Sequence, residues 1–374
     1  MRIGVLKEQK TDETRVALLP VQCCALVKAG HEVLVESTAG QIIHIDDSLY
    51  AEAGARIVPP GDAVKQADLI VGVKYPPRAY LAHLNERQFL FAYLHLDENT
   101  PKEYAEALRQ SGATAIAYEW VGTDGKCLLL EPMSRLAGTL FAWKGLELLL
   151  KGKGKVPLSY GGRSPRVMIA GIGRMGREAI RVFSMNGCEL VIVDKHPETL
   201  PDRIGAATAA GACIIKFDAG RLSETLQTIR RQVARCDIVL FTAVRRPDLP
   251  KAVCAYILRE SDVLAMEPGS VVMDATACIR DFIETAVPSE KLDASYVIGG
   301  VTHYNPDHIP ALAGVTASEL LTEATFPYIQ AIAERGTDAV LADPALRNGV
   351  VTYRCGYTHE YTCKLKGYPY SPLP

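Results

Sequence analysis

The stretch from Arg166 to Asp194 constrains this chain more than any other. An apolar strand, Val167–Ala170, runs into Gly171-Ile172-Gly173-Arg174-Met175-Gly176, followed by a helix over Arg177–Asn186, a strand over Glu189–Val193, and Asp194. A bare G-x-G-x-x-G is weak evidence. Between a strand and a helix, with an acid about 20 residues further on, it becomes the βαβ dinucleotide fingerprint. Gly171 permits the tight turn, Gly173 lets backbone approach a pyrophosphate, and Gly176 lets helix pack closely on strand. The helix N-terminus, with Arg174 and Met175 in the turn, turns amides and positive dipole toward the anion. Asp194 would accept hydrogen bonds from the adenosine ribose and repel a 2′-phosphate, which favours NAD over NADP; Lys195 and His196, as cations that tolerate a phosphate, soften that preference. The bland alternative is a turn that merely joins strand to helix. FAD fingerprints usually open a chain, and this one sits in the middle.

That placement organises the rest. A chain of 374 residues has room for two to three domains. Apolar strands at Ile3–Leu6, Glu32–Glu36, Leu69–Lys74, Phe89–Leu94 and Ala113–Tyr118 alternate with helices at Pro20–Ala29 and Pro101–Gln110, an α/β pattern. Thr100-Pro101 reads as a cap followed by an N1 proline. A long helix is expected over Pro132–Leu150, then an irregular basic connection through Lys151–Lys155 and Tyr160–Pro165. Further strands are expected at Cys213–Lys216, Ile238–Thr242, Val271–Met273 and Tyr296–Gly299, and a closing helix at Ala317–Arg335. The expected fold class is α/β with two domains: a Rossmann dinucleotide-binding domain, residues 131–310, inserted in a discontinuous α/β substrate and catalytic domain formed by residues 1–130 and 311–374.

Composition removes several classes of function. Forty-one Lys and Arg against 43 Asp and Glu leave a formal charge of -2, without the basic excess of a nucleic-acid binder. The ten cysteines include no CxxC pair, so neither a disulfide framework nor a zinc site is expected. The start, MRIGVL followed by Lys7-Glu8-Gln9-Lys10, lacks an apolar leader, and no apolar run reaches membrane-span length. A cytoplasmic protein with no membrane partner is the expectation.

If the flanks form a substrate domain, chemistry should come from their strand ends. Arg15 follows the first strand and a polar loop, Lys74 ends the strand Leu69–Val73, and His95 ends the run Phe89–Leu94. Arginine is the natural clamp for a carboxylate, and Lys and His can polarise a carbonyl and move a proton. Each alone has an ordinary alternative: a surface arginine, a solvated lysine, a satisfied core histidine.

Taken in order, Gly4-Val5-Leu6-Lys7-Glu8 with Arg15-Val16-Ala17, Val73-Lys74 before proline, Leu94-His95-Leu96, Ala117-Tyr118-Glu119, Pro132-Met133-Ser134 with Ala137-Gly138, and Ala324-Thr325-Phe326-Pro327-Tyr328 resemble the alanine dehydrogenase and nicotinamide-nucleotide transhydrogenase N-terminal family over nearly the whole chain. The resemblance implies that Arg15 binds the substrate carboxylate, Lys74 contacts a 2-oxo acid, His95 is the acid/base, and Ser134 touches the NAD cofactor. It also implies a homo-oligomer, a hexamer by family habit, with a small 2-oxo acid and an amine as substrates.

Three departures bear on the pocket. After Val271-Val272-Met273-Asp274 the family keeps a second aspartate four residues on, where this chain has Cys278; Asp281 is a candidate substitute. His308 in Asp307-His308-Ile309-Pro310 stands where the alanine enzymes carry Asn-Met-Pro, and the run is similar to saccharopine and N-carboxyalkyl amino acid dehydrogenases. Tyr75 replaces a usual glutamate after the lysine. Cys278, His308 and Tyr75 are thus candidate substrate-binding residues. The expected activity is NAD(H)-dependent reductive amination of a 2-oxo acid. The alternatives are reduction of an imine between a 2-oxo acid and an amino acid amine, and a non-catalytic NAD-binding sensor or transhydrogenase subunit.

Overall fold

The computed structural model describes residues 1–96, 100–157, 163–245, 249–276 and 279–374. It divides into two compact units, Met1–Met133 with Ala311–Pro374, and Ser134–Pro310.

The first unit is built on an eight-stranded sheet. Its parallel strands are β1 (Arg2–Val5), β2 (Glu32–Glu36), β3 (Arg56–Val58), β4 (Leu69–Lys74), β5 (Phe89–Tyr93) and β6 (Thr114–Ala117). A separate two-stranded hairpin, β7 (Gly122–Thr123) and β8 (Lys126–Cys127), follows. From the end of the chain, β16 (Val350–Tyr353) and β17 (Gly356–Tyr357) complete the sheet in antiparallel sense, giving the order β17-β16-β6-β5-β4-β1-β2-β3. The central strands are apolar throughout because both faces are covered; Leu69–Val73 and Phe89–Tyr93 are buried at every position. One local expectation fails. Pro101 is the residue before the helix Lys102–Gln110 and not its first residue, because the Thr100 hydroxyl donates to the Leu94 carbonyl at 2.7 Å instead of capping.

The second unit contains β9 (Arg166–Ala170), β10 (Glu189–Asp194), β11 (Cys213–Lys216), β12 (Ile238–Phe241), β13 (Val271–Asp274), β14 (Tyr296–Ile298) and β15 (Val301–Tyr304), ordered β11-β10-β9-β12-β13-β15-β14. All pairs are parallel except β14 with β15. Chain progress reverses between β9 and β12, which makes their carboxyl ends the topological switch point where open α/β sheets take ligands. The fold is therefore the expected α/β class with parallel sheets. The long helix spans Leu130–Lys153 and so continues through Lys151-Gly152-Lys153, expected as loop. Gly152 is held there by close approach, since a Cβ on it would lie 2.7 Å from the Gly269 carbonyl. Residues 160–162 of the expected basic connection lie outside the described residues. The closing helix, Gly314–Arg335, starts three residues early and contains Pro327. Among the described residues no helix is long and apolar enough to cross a membrane.

Candidate functional site

In the second unit, the turn after β9 has the geometry that its glycines suggest. Gly171 sits at φ +91°, and a Cβ there would be 2.7 Å from the Ala243 backbone nitrogen. Gly176 passes so close to the Gly171 carbonyl that a Cβ would stand 2.1 Å from its oxygen. Around Gly173, by contrast, a Cβ would meet nothing within 4 Å, so the backbone is open to an incoming group. The helix begins at Arg174 and not at Arg177, with Gly173 as its cap residue. Arg174, Met175 and Gly176 thereby form its first turn, where amides lack intrahelical partners. Ser134 lies on the long helix, one turn before Gly138, whose Cβ position would meet the Met175 carbonyl at 2.2 Å.

A cavity of about 770 Å³ opens at this switch point, lined by Gly171, Ile172, Gly173, Asp194, Lys195 and Arg203 among others. Asp194 ends β10 with its carboxylate already engaged. It accepts from the amides of Ile172 at 3.1 Å and His196 at 2.8 Å, and pairs with Arg203 Nη1 at 3.0 Å. Burial pushes this carboxyl up, but Arg203 and the two amides outweigh it and hold it below the usual range. Arg203 was not singled out from sequence. It reaches Asp194 from a helical turn nine residues later, and no motif marks that distance.

Farther along this unit, the buried Asp274 carboxyl accepts from the Thr276 amide and hydroxyl through Oδ1. Oδ2 is buried without a partner among the described residues, and burial pushes the group up to about 6. Asp281, the candidate substitute acid, is paired with Arg245, which also donates to the Leu249 and Cys254 carbonyls, so it serves as a loop anchor. Cys278 lies outside the described residues. His308 is buried; Asp307 Oδ1 lies 2.5 Å from its Nδ1, and its Nε2 has no partner among the described residues.

In the first unit, the ends of β4 and β5 bring two candidates together. Lys74 Nζ lies 3.1 Å from His95 Nε2, a contact in which one nitrogen donates to the other, so the pair is a natural place for a mobile proton. Tyr93, missed in the sequence, organises both. Its ring stacks on His95 at 5.7 Å between centroids, lies under the Lys74 ammonium at 5.7 Å, and is fixed by its hydroxyl donating to the Leu129 carbonyl at 2.7 Å. Burial raises the Tyr93 phenol above its ordinary pKa, so it stays neutral.

Two glutamates hold the strand ends. Glu119 accepts from the amides of Leu94 at 3.2 Å and His95 at 2.6 Å, and so secures the left-handed backbone of His95 at φ +48°. Glu8 accepts from the amides of Val73 at 2.6 Å and Lys74 at 3.1 Å. The Glu8 residue is partly buried as a whole, and burial of its carboxyl, helped by the Glu13 charge, pushes it up to about 8.

Arg15 is buried, and Glu13 grips it through Nε at 2.7 Å and Nη2 at 2.5 Å. Among the described residues its Nη1 makes a soft contact, 3.5 Å to Met133 Sδ. Burial lowers the proton affinity of this guanidinium, and Glu13 more than restores it. Tyr75 goes elsewhere: it packs on Tyr104 at 5.0 Å and against the core beside β4.

A fingerprint turn at a switch point, an acid at the end of the next strand and a lysine–histidine pair define a pyridine-nucleotide oxidoreductase class. Residues 4–137 match the family Alanine dehydrogenase/PNT, N-terminal domain, and residues 145–360 match Alanine dehydrogenase/PNT, C-terminal domain. An alanine dehydrogenase of Halomonas elongata is 32% identical over 375 residues, 95% of each chain. The alanine dehydrogenase of Bacillus subtilis is 32% identical over 378 residues, covering 100% of this chain and 96% of its own. A solved L-alanine dehydrogenase superposes with a TM-score of 0.83 at 30% identity, over 98% of this chain and 99% of that one. A transhydrogenase structure from Sinorhizobium meliloti shares the fold, with a TM-score of 0.77 at 22% identity over 96% of this chain and all of its own. The chain belongs to the alanine dehydrogenase/PNT family.

Proposed function

We propose that this oxidoreductase is an NAD(H)-dependent amino acid dehydrogenase that reductively aminates a 2-oxo acid and, in reverse, deaminates an L-amino acid. In this reading residues 131–310 bind NAD, and residues 1–130 with 311–374 bind substrate and carry the acid/base groups. The observation that carries it is the Lys74–His95 contact at 3.1 Å in a chain that also has the fingerprint turn.

The cofactor fit rests on open backbone at Gly173, the amides of the helix start, and the cavity beside Asp194. Gly171, Gly173, Arg174, Met175 and Gly176 would face the pyrophosphate, Asp194 the ribose, and Ser134 the nicotinamide half. NAD, when bound, supplies or takes up the hydride. The remaining N–H groups of Arg15 receive the substrate carboxylate, with Glu13 fixing the plane of the guanidinium. The Lys74 ammonium donates to the oxo oxygen and draws electron density from the carbonyl carbon. Ammonia adds to the carbonyl carbon, His95 supplies the proton with which the oxo oxygen leaves as water, and in the reverse direction it takes that proton back, exchanging it with Lys74. His95 Nε2 is both the proton site and the Lys74 partner, so neither residue substitutes for the other.

A second reading has its own observation. The buried His308, oriented by Asp307 and with Nε2 unpartnered among the described residues, suits a substrate with an additional polar group, as when an amino acid amine replaces ammonia. NADH oxidation followed with a panel of 2-oxo acids, each offered with ammonia and separately with lysine or ornithine, decides. Turnover with ammonia is expected. Turnover only with amino acid amines selects the imine-reducing reading, and none with either removes both. Family resemblance also supports a homo-oligomer, a hexamer, which light scattering would test.

A further inference from the structure

The β4–β5 ladder contains an irregularity that bears on where Lys74 points. Leu69, Ile70 and Val71 pair with Phe89, Leu90 and Phe91 in register, but the next pair is Lys74 with Tyr93. Gly72 and Val73 therefore oppose Ala92 alone, which is a β-bulge: one extra residue, a bend and a re-aimed side chain. On its other side, β4 pairs with β1 only as far as Val71 with Val5, and the Leu6 amide then donates to the Val71 carbonyl.

Beyond that point, among the described residues, no strand flanks β4 on the β1 side to accept from Val73 and Lys74. The chain leaving β1 supplies a side chain instead: Glu8 Oε1 takes the Val73 amide at 2.6 Å and Oε2 the Lys74 amide at 3.1 Å. Gly72 lets this turn close, since a Cβ on it would lie 3.1 Å from the Lys74 carbonyl and 3.5 Å from Glu8 Oε1. Side chains alternate faces along a strand, so relaxing a one-residue bulge would send Lys74 to the opposite face of the sheet. With the bulge in place, Nζ stands against His95.

We propose that Glu8 is a positioning residue: it closes the bulge at Gly72-Val73 and thereby aims Lys74 at His95. Glu8 acts through the backbone amides that it holds. The inference rests on the reading of Lys74 and His95 as the reacting pair, and the experiment separates the two.

Three full-length variants, Glu8→Gln, Glu8→Ala and Lys74→Ala, are compared with the parent in steady-state kinetics, NADH binding by fluorescence, near-ultraviolet circular dichroism and crystal structures. Glutamine retains one acceptor and alanine none. The expected result is a graded fall in kcat, roughly tenfold for Glu8→Gln and roughly a hundredfold for Glu8→Ala, about 1.4 and 2.8 kcal/mol of barrier. NADH affinity stays unchanged, and Lys74 Nζ moves out of hydrogen-bond range of His95 in the crystals. If Lys74→Ala is inactive while both Glu8 variants keep parental kcat, the positioning role is wrong and the reacting pair stands. If Lys74→Ala itself turns over at the parental rate, the pair is wrong, whereas the Lys74 position in the Glu8 variant crystals still tests the bulge. A lowered melting temperature with parental kcat at 25 °C and an unmoved Lys74 would assign Glu8 to stability alone and overturn the proposal.

Discussion

Replacing Glu13 by glutamine tests how the substrate domain tolerates a buried cation. The Arg15 and Glu13 side chains are 3% and 0% exposed, and Glu13 also accepts the Arg15 amide at 3.1 Å. Two charges removed from water hold each other in place; removing one leaves the other desolvated, at about 3–5 kcal/mol. In a unit of roughly 200 residues each kcal/mol moves a melting transition by about 2–4 °C, so the first unit should melt about 6–20 °C lower. The carbonyl of the introduced glutamine retains one acceptor, which favours the lower part of that range. Differential scanning calorimetry is the assay. Two internal controls follow from the same physics. A 2-oxo acid brings a replacement carboxylate, so it should raise the transition of Glu13→Gln by more than it raises the parent's. The double variant Glu13→Leu with Arg15→Met leaves no unpaired charge and should recover most of the loss. A Glu13→Gln protein that melts within a degree of the parent, or a double variant less stable than the single one, would refute this account.

Other expectations are as concrete. Gly176→Ala should abolish NADH binding, measured by fluorescence titration, since its Cβ would sit 2.1 Å from the Gly171 oxygen; micromolar binding by the variant would show that the turn can shift. Arg203→Ala frees the Asp194 carboxylate for ribose hydroxyls and removes a cation, so the preference of kcat/KM for NADH over NADPH should rise about tenfold, or 1.4 kcal/mol; an unchanged ratio would take Arg203 out of cofactor choice. Asp274, raised from 3.8 to about 6 by burial, binds its proton more tightly folded than unfolded. Its contribution is complete below about pH 4 and lost as pH rises through 6, on the order of 3 kcal/mol at most. Urea unfolding of Asp274→Asn should lack that fall, and a parallel loss in both proteins would assign it elsewhere.

The sequence disclosed elements whose signal is local and missed those whose cause is distant. β4 ends at Lys74 as expected because its apolar run is bounded by a charge and two prolines. The helix after the fingerprint turn starts at Arg174, three residues sooner than periodicity suggested, because Arg174-Met175-Gly176 carries no apolar pattern. β3 is three residues long at the sheet edge, too short to alternate. The strand-end reading found Lys74 and His95, but Glu8 reaches Val73 and Lys74 across 65 and 66 residues, and Glu119 reaches Leu94 and His95 across 25 and 24. Side chains that grip distant backbone leave no spacing rule to read. Tyr75 was singled out for its place after Lys74, and its contact with Tyr104, 29 residues on, is likewise one that no spacing rule announces.

The antiparallel pairing of β16 with β6 has a consequence for synthesis. β6 ends at Ala117 and β16 begins at Val350, so the ribosome adds roughly 230 residues before the edge of β6 is covered. At about 5–20 residues per second that is on the order of 10 to 50 s. Throughout this interval the first six strands present an open, apolar edge of the kind that recruits other chains, while the second unit, contiguous in sequence from Ser134 to Pro310, is finished before β16 is made. Nascent chains arrested before Val350 should therefore hold a protease-resistant second unit beside a first unit that depends on chaperones.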